Sequence, residues 1–227
     1  MRLTVLAATG RVGRHLLAQA LEDGHEVTAV VRDPAKLGGW RERDGVRVVP
    51  VDLAAAGAER ELRAAVRGAD AVLSGLGPVG KAGVGVAENG TRAVVAAMRG
   101  TGTRRLLVVS AAPVGTVPSP GRPHPPRHDP GEGPVVRHLV TPLVKRVLRA
   151  HYADLARMED VVLASGLDWT VVRPPRLTDR PLTRRYRIAY GQNLRGGASV
   201  GRADVAHCML HGVDDPGTVG QVIAVAS

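Results

Sequence analysis

Short apolar runs alternate, along the first half of this 227-residue chain, with stretches in which apolar residues recur every three or four positions. The two periods are those of buried strands and amphipathic helices. The runs predict strands at Leu3–Ala7, Glu26–Val31, Arg47–Val51, Ala71–Ser74 and Arg104–Ser110; the stretches between predict helices at Val12–Asp23, Ala58–Val66 and Val84–Arg99. Strict strand–helix alternation with crossovers of this length builds a parallel sheet with helices on both faces. The expected fold is a doubly wound, Rossmann-type α/β domain spanning residues 1–227.

The rhythm breaks after the fifth strand. Eight of the sixteen prolines fall between Ala112 and Pro134, which excludes helix and central strand there. A loop of this length inside a compact domain points to a lid or binding loop, and residues 112–138 are read as a Pro-rich lid. Beyond it, Leu139, Val140, Leu143, Val144, Val147, Leu148, Leu155, Met158 and Val162 predict one long amphipathic helix over Leu139–Ser165. Strands at Trp169–Arg173, Tyr186–Tyr190 and Val222–Val225 and a helix at Ala203–Leu210, ending at Gly212, complete the chain. Residues 174–202 are expected on the substrate side.

Composition sharpens this picture in three ways. There is no Phe, so the core must be Val, Leu and Ala, the set that fills strands buried on both faces. Any ring stacked on a planar ligand must belong to Trp40, Trp169, Tyr152, Tyr186 or Tyr190. A single cysteine, Cys208, excludes an intramolecular disulfide and a cysteine-based zinc site. With no apolar leader or 18-residue apolar run, a cytoplasmic location is expected.

The net charge is +10, carried by 28 Arg and 3 Lys. The excess is greatest over residues 122–202, with 15 bases against 7 acids. Without a basic stripe interleaved with aromatics, nucleic acid is not the expected partner. A small anionic or planar substrate, or a phosphorylated cofactor, fits this charge better. No membrane partner is expected, and the chain is read as a monomer or homodimer. His207 and His211, four residues apart, have no third ligand in prospect and are read as a helix-end pair; no metal site is expected.

The first strand runs into Ala8-Thr9-Gly10-Arg11-Val12-Gly13 and then a helix. Such a glycine turn delivers backbone N–H groups and a positive dipole end to a pyrophosphate. Gly10 would let the backbone approach the phosphates and Gly13 would let the helix pack on the strand; the usual first glycine is Ala7. The second strand ends Val31-Arg32-Asp33. An acidic residue there would accept from a ribose 2′-hydroxyl, whereas an arginine would pair with a 2′-phosphate. Arg32 comes first, which favours NADP(H), and Lys36 and Arg11 are further candidates for that phosphate.

These residues, with Asp52-Leu53, Gly75-Leu76-Gly77, Glu88-Asn89-Gly90-Thr91 and Arg173-Pro174-Pro175-Arg176-Leu177-Thr178-Asp179, resemble the atypical short-chain dehydrogenase/reductase family. Within it the likeness is to NAD(P)H-binding proteins that include the flavin reductase/biliverdin reductase B enzymes, and more distantly to NmrA-like proteins. The resemblance implies that Thr9, Gly10, Arg11, Val12 and Gly13 wrap the diphosphate, Arg32 holds the 2′-phosphate, and Asp52 and Leu53 flank the adenine. It also implies that Gly75, Leu76 and Gly77 wall the nicotinamide ribose, that Ser110 lies near the nicotinamide, and that Pro174 and Pro175 form a floor under the carboxamide.

Ordinary short-chain dehydrogenases use a Tyr-x-x-x-Lys pair, because an ammonium one helical turn away lowers the phenol pKa. Tyr152 is followed four residues on by Ala156, so the lysine is missing. The nearby Arg149 is no proton relay. If the acceptor is a flavin or tetrapyrrole, an oriented NADPH suffices, with solvent as proton source and Ser110 as orienter. If it is a carbonyl, Ser110, Tyr152 or His138 must supply a donor, with Arg176 also on the substrate side. A non-turnover NADP(H) sensor of the NmrA-like kind and an epimerase or dehydratase are the alternatives.

Overall fold

Runs of Val, Leu and Ala become strands because a sheet covered on both faces leaves no solvent side for polar residues. The structure, a computed structural model, describes residues 1–53, 55, 57–77, 83–133 and 141–227. In chain order it forms β1 (Arg2–Leu6), α1 (Gly13–Glu22), β2 (Glu26–Val31), β3 (Val46–Pro50), α2 (Ala58–Val66), β4 (Ala71–Ser74), α3 (Val86–Thr101) and β5 (Arg105–Val109). Then follow α4 (Thr141–Val147), α5 (Arg149–Leu163), β6 (Asp168–Arg173), β7 (Arg176–Thr178), β8 (Arg187–Tyr190), β9 (Ser199–Gly201), α6 (Arg202–His211) and β10 (Gln221–Ala226).

Eight strands form one sheet in the order β3-β2-β1-β4-β5-β6-β10-β8, parallel except for β8, which pairs antiparallel with β10. This is the doubly wound, Rossmann-type arrangement. The order reverses between β1 and β4, and ligands of such sheets bind at the carboxyl ends beside that switch point. One face packs Leu3 and Val5 against Leu16 and Leu17 of α1 and Val205 and Met209 of α6. The other packs Leu6, Val72 and Leu106 against Leu62 of α2, Met98 of α3 and Met158 of α5. Thr4, fully buried in β1, satisfies its hydroxyl on the Ala65 carbonyl at 2.8 Å. Among the described residues no helix is long and apolar enough to cross a membrane.

Two expectations need correction. The single helix over Leu139–Ser165 is two helices, α4 and α5, with a break at Leu148 (φ −105°, ψ 24°). Leu143 and Val147 are 64% and 72% exposed, so the apolar stripe does not continue into the core. Periodicity marks which positions are apolar without supplying a surface for them to meet. The register of α5 is instead fixed by its buried acids: Asp154 accepts from the Ala87 and Glu88 N–H groups at the start of α3. Second, residues 174–202 hold more than the one strand expected at Tyr186–Tyr190: β7 and β9 form a separate parallel pair, Arg176 opposite Ser199 and Thr178 opposite Gly201.

The described part of the Pro-rich segment is fastened to the domain. It opens with a 3₁₀ turn at Ala112–Thr116. Asp160 of α5 accepts from Ser119 Oγ and Gly121 N, and buried Asp129 accepts from Gly131 N and Asn193 N.

Candidate cofactor and active site

The phosphate loop begins where β1 ends. Ala7, in place of the usual first glycine, adopts a left-handed conformation (φ +53°), which costs a residue with a Cβ about 1–2 kcal/mol. The reward is a tight turn in which Gly10 N donates to Ala7 O at 2.7 Å. A Cβ on Gly10 would lie 2.9 Å from that carbonyl oxygen and one on Gly13 only 2.0 Å from it. A Cβ on Gly75, at the end of β4, would lie 3.1 Å from Gly13 N. Gly10, Gly13 and Gly75 therefore let three backbone segments meet across the switch point.

Helix α1 starts in this cradle with no side-chain cap and no acidic residue in its first turn. The positive end of its dipole is thus open to an anion, while within the first turn Arg14 N already donates to Gly10 O at 3.0 Å and His15 N to Val12 O at 2.9 Å. Thr9 is half-buried, Val12 buried and Arg11 exposed along the same loop. Arg11 Nη2 donates to Asp179 Oδ2 at 2.6 Å, and Asp179 Oδ1 also accepts from Arg202 Nη1 at 2.7 Å. Desolvation works against the Asp179 carboxylate, but the Arg11 hydrogen bond and the Arg202 charge outweigh it and hold its pKa below the ordinary value. The acid ties the loop after β7 to the phosphate loop.

At the end of β2 the two competing side chains differ in what engages them. Asp33 accepts from Ala35 N at 3.0 Å and caps the 3₁₀ turn Pro34–Glu42. Arg32 and Lys36 are exposed and, among the described residues, have no carboxylate within 4.0 Å. Further along the edge, Leu53 and Leu76 converge on Gly90 of α3, where a Cβ would stand 3.2 Å from Leu76 and 3.4 Å from Leu53. Asp52 is exposed beside them and Gly77 is half-buried.

At the tips of β5 and β6 lies a buried polar cluster. Ser110 Oγ donates to Glu159 Oε1 at 2.6 Å. Arg173 grips the same carboxylate with two nitrogens, Nε to Oε1 at 2.8 Å and Nη2 to Oε2. Ser110, Glu159 and Arg173 are 5%, 1% and 7% exposed. Arg122 of the Pro-rich segment adds its charge 3.8 Å from Oε2. Pro174 is buried and its carbonyl accepts from Ala112 N at 2.9 Å; Pro175 is half-buried and Arg176 exposed.

Tyr152 is buried, and burial raises its phenol pKa above the ordinary value. It lies two helical turns before Glu159, about 10 Å along α5, beyond the carboxyl edge marked by Ser110. Ala156, where the lysine of the usual pair would stand, is fully buried. His138 lies outside the described residues. Among the described residues no three His, Cys, Asp or Glu side chains converge as a metal site; His207 and His211 stack with ring centroids 4.0 Å apart.

Glu159, Arg173, Asp179 and Arg202 were not singled out as site residues in the sequence. For Glu159 there was a signal: an acid set among Leu155, Met158 and Val162, positions that pattern alone sends to the core.

Comparison with known proteins agrees with this fold. The chain is 26% identical over 223 residues to protein YwnB of Bacillus subtilis (strain 168), covering 95% of this chain and 93% of that one. The oxidoreductase ylbE from Lactococcus lactis has the same fold, with a TM-score of 0.79 at 20% identity over 100% of this chain and 91% of its own. So does ChuY, an anaerobilin reductase from Escherichia coli O157:H7, with a TM-score of 0.75 at 22% identity over 100% and 97%. The profile of the NAD(P)H-binding family matches residues 7–216, and this chain belongs to that family.

Proposed function

We propose that this protein is an NADPH-dependent reductase that transfers hydride to a small planar or anionic acceptor of flavin, quinone or carbonyl type. The observation that carries the reading is that Asp33 is engaged in capping its own turn while Arg32 is exposed, next to a glycine cradle. That difference supports Arg32 as the group that would meet a 2′-phosphate. Bound NADPH would supply the hydride. Gly10, Gly13 and the first turn of α1 would hold the pyrophosphate, Leu53 and Leu76 the adenosine side, and Ser110 with Pro174 the nicotinamide side.

The proton is a separate matter. A phenol whose pKa is raised by burial, with Ala156 in place of the lysine, is a poor donor at neutral pH. Solvent as proton source suits acceptors such as flavins and quinones, and the similarity to a protein named as an anaerobilin reductase supports a planar acceptor. The same missing pair favours a second reading, an NADP(H)-binding sensor without turnover.

The test is NADPH oxidation, followed by absorbance, with FMN, riboflavin and quinones as acceptors. Turnover on one of these is expected; NADPH binding with no turnover on any would favour the sensor. Arg32→Glu is expected to weaken NADPH about 100-fold, the scale of a lost charge-assisted contact plus added repulsion, with NADH changed about threefold or less. Equal loss of both would overturn the role of Arg32.

A further inference from the structure

The Glu159–Arg173 pair is complete as an ion pair without Ser110, since the guanidinium already meets both carboxylate oxygens. The third bond, from Ser110 Oγ, has a different consequence. A serine hydroxyl has one proton and two lone pairs. Glu159, as an acceptor-only carboxylate, takes that proton into the protein interior. What Ser110 presents on its other side is lone pairs alone.

We propose that Glu159 is a positioning residue that fixes Ser110 as a hydrogen-bond acceptor, so that the strand tip recognises the carboxamide N–H of nicotinamide and donates no proton to the substrate. The inference rests on the cofactor reading above. Four segments hold the arrangement: the tips of β5 and β6, α5, and the Pro-rich segment. Gly115 of that segment lies so close that a Cβ there would stand 2.8 Å from Arg173 Nη1, and Arg122 donates to Val114 O at 2.8 Å while facing Glu159. Among the described residues, Glu159 is the hydrogen-bond partner of the Ser110 hydroxyl.

The polarity selects the class of reaction. An acceptor whose reduction develops an alkoxide needs a donor at the reacting oxygen, and this serine is not one. An acceptor that takes hydride into a conjugated ring and is then protonated by water needs none.

The experiment compares two cofactors by fluorescence titration: NADPH and its 3-acetylpyridine analogue, in which a methyl replaces the carboxamide NH2. Wild type is expected to prefer NADPH about three- to tenfold, the range for one neutral hydrogen bond. Ser110→Ala, which leaves the Glu159–Arg173 pair intact, is expected to abolish the preference to within about twofold. Glu159→Gln should do the same, because its amide can donate to Ser110 and release the hydroxyl proton. If Glu159→Gln fails to fold, the paired variant Glu159→Gln/Arg173→Gln removes both buried charges together and leaves neither unpaired, with the same expected loss of preference. A purely structural Glu159 would lower the melting temperature and leave the preference unchanged. A preference retained in Ser110→Ala or in the folded Glu159 variant, with NADPH still bound, overturns this inference alone. Wild type that binds neither cofactor overturns the cofactor reading and this inference with it.

Discussion

The carbonyl oxygen of Ala7 fills the space that a side chain on Gly13 would need, 2.0 Å from where its Cβ would stand. Neither partner can yield cheaply: Ala7 is held left-handed by its turn, and Gly13 is pressed by Gly75 from β4. Gly13→Ala is expected to displace the loop, to abolish measurable NADPH binding and to cost about 1–3 kcal/mol, the range for overpacking. Gly39→Ala, with nothing within 4 Å of its Cβ and no positive φ, is the control and should change neither. Cofactor titration and thermal denaturation on the two variants check this.

Asp179 stands between the phosphate loop and the loop after β7, and it holds Arg11 in a direction set by protein alone. Incoming phosphates would compete with that carboxylate for the guanidinium and would be repelled by it. Asp179→Asn keeps an acceptor for Arg202 while removing the charge. NADPH affinity is therefore expected to rise about two- to fivefold at low ionic strength, and the gain should shrink as salt screens it. An unchanged or weakened affinity would show that Asp179 supports the binding conformation.

The central strands β1, β2, β4, β5 and β6 were legible because most of their residues are buried, so a short run rich in Val, Leu and Ala carries most of the signal. Glu26–Val31, Ala58–Val66 and Ala71–Ser74 have the bounds that pattern predicts. β7 and β9, three residues each, are too short to show a period. The glycine turn proposed as the cofactor cradle was legible from its glycines, although the left-handed Ala7 replaces one of them. The Ser110–Glu159–Arg173 cluster was not, because Ser110 and Glu159 are 49 residues apart in the chain and nothing local in either says that they meet. Arg and Asp residues raise the same difficulty. Arg122, Arg157, Arg173 and Arg202 are engaged with carboxylates, so part of the basic excess over residues 122–202 is internal.

Three histidines make stability depend on pH. Burial lowers the pKa of His15, with Arg14 adding to it; burial lowers His151 against the pull of Asp154; burial, then His211 and Arg184, lower His207, against Asp204 and Asp23. Each takes up its proton less readily folded than unfolded. As pH falls below about 6.5, the unfolded chain binds protons first and gains free energy, so the folded state loses stability through that window. The melting temperature is expected to be flat above about pH 7 and to decline toward pH 5. His207→Gln should flatten part of that decline, and an equal slope in the variant would remove His207 from the account.

Arg105 separates stability from cofactor binding. It lies at the amino end of β5, five residues and about 16 Å of strand from Ser110, and is 9% exposed. Nε donates to Val213 O at 3.1 Å, Nη1 to Asp168 O and Thr170 Oγ1 at 2.9 Å, and Nη2 to Gly212 O and to Thr218 Oγ1 at 2.6 Å. All five N–H groups of the guanidinium are thereby used, and they join the turn after α6 to β6 and to the turn before β10. Burial lowers the pKa of Arg105 against the charges of Asp168, Asp215 and Asp214, yet a guanidinium remains protonated. Arg105→Met keeps an apolar stem of about the reach of Nε but removes the guanidinium, leaving the carbonyls of Asp168 and Val213 without this donor. The expected cost is about 3–5 kcal/mol, seen as a fall of about 6–20 °C in melting temperature for a chain of this size. Arg105→Lys, with three donors in place of five, should fall between. In both variants NADPH affinity measured well below the transition is expected to match wild type, because none of the lost bonds reaches the carboxyl edge of the sheet. A loss of affinity in the folded variants would mean that the two ends of β5 are coupled.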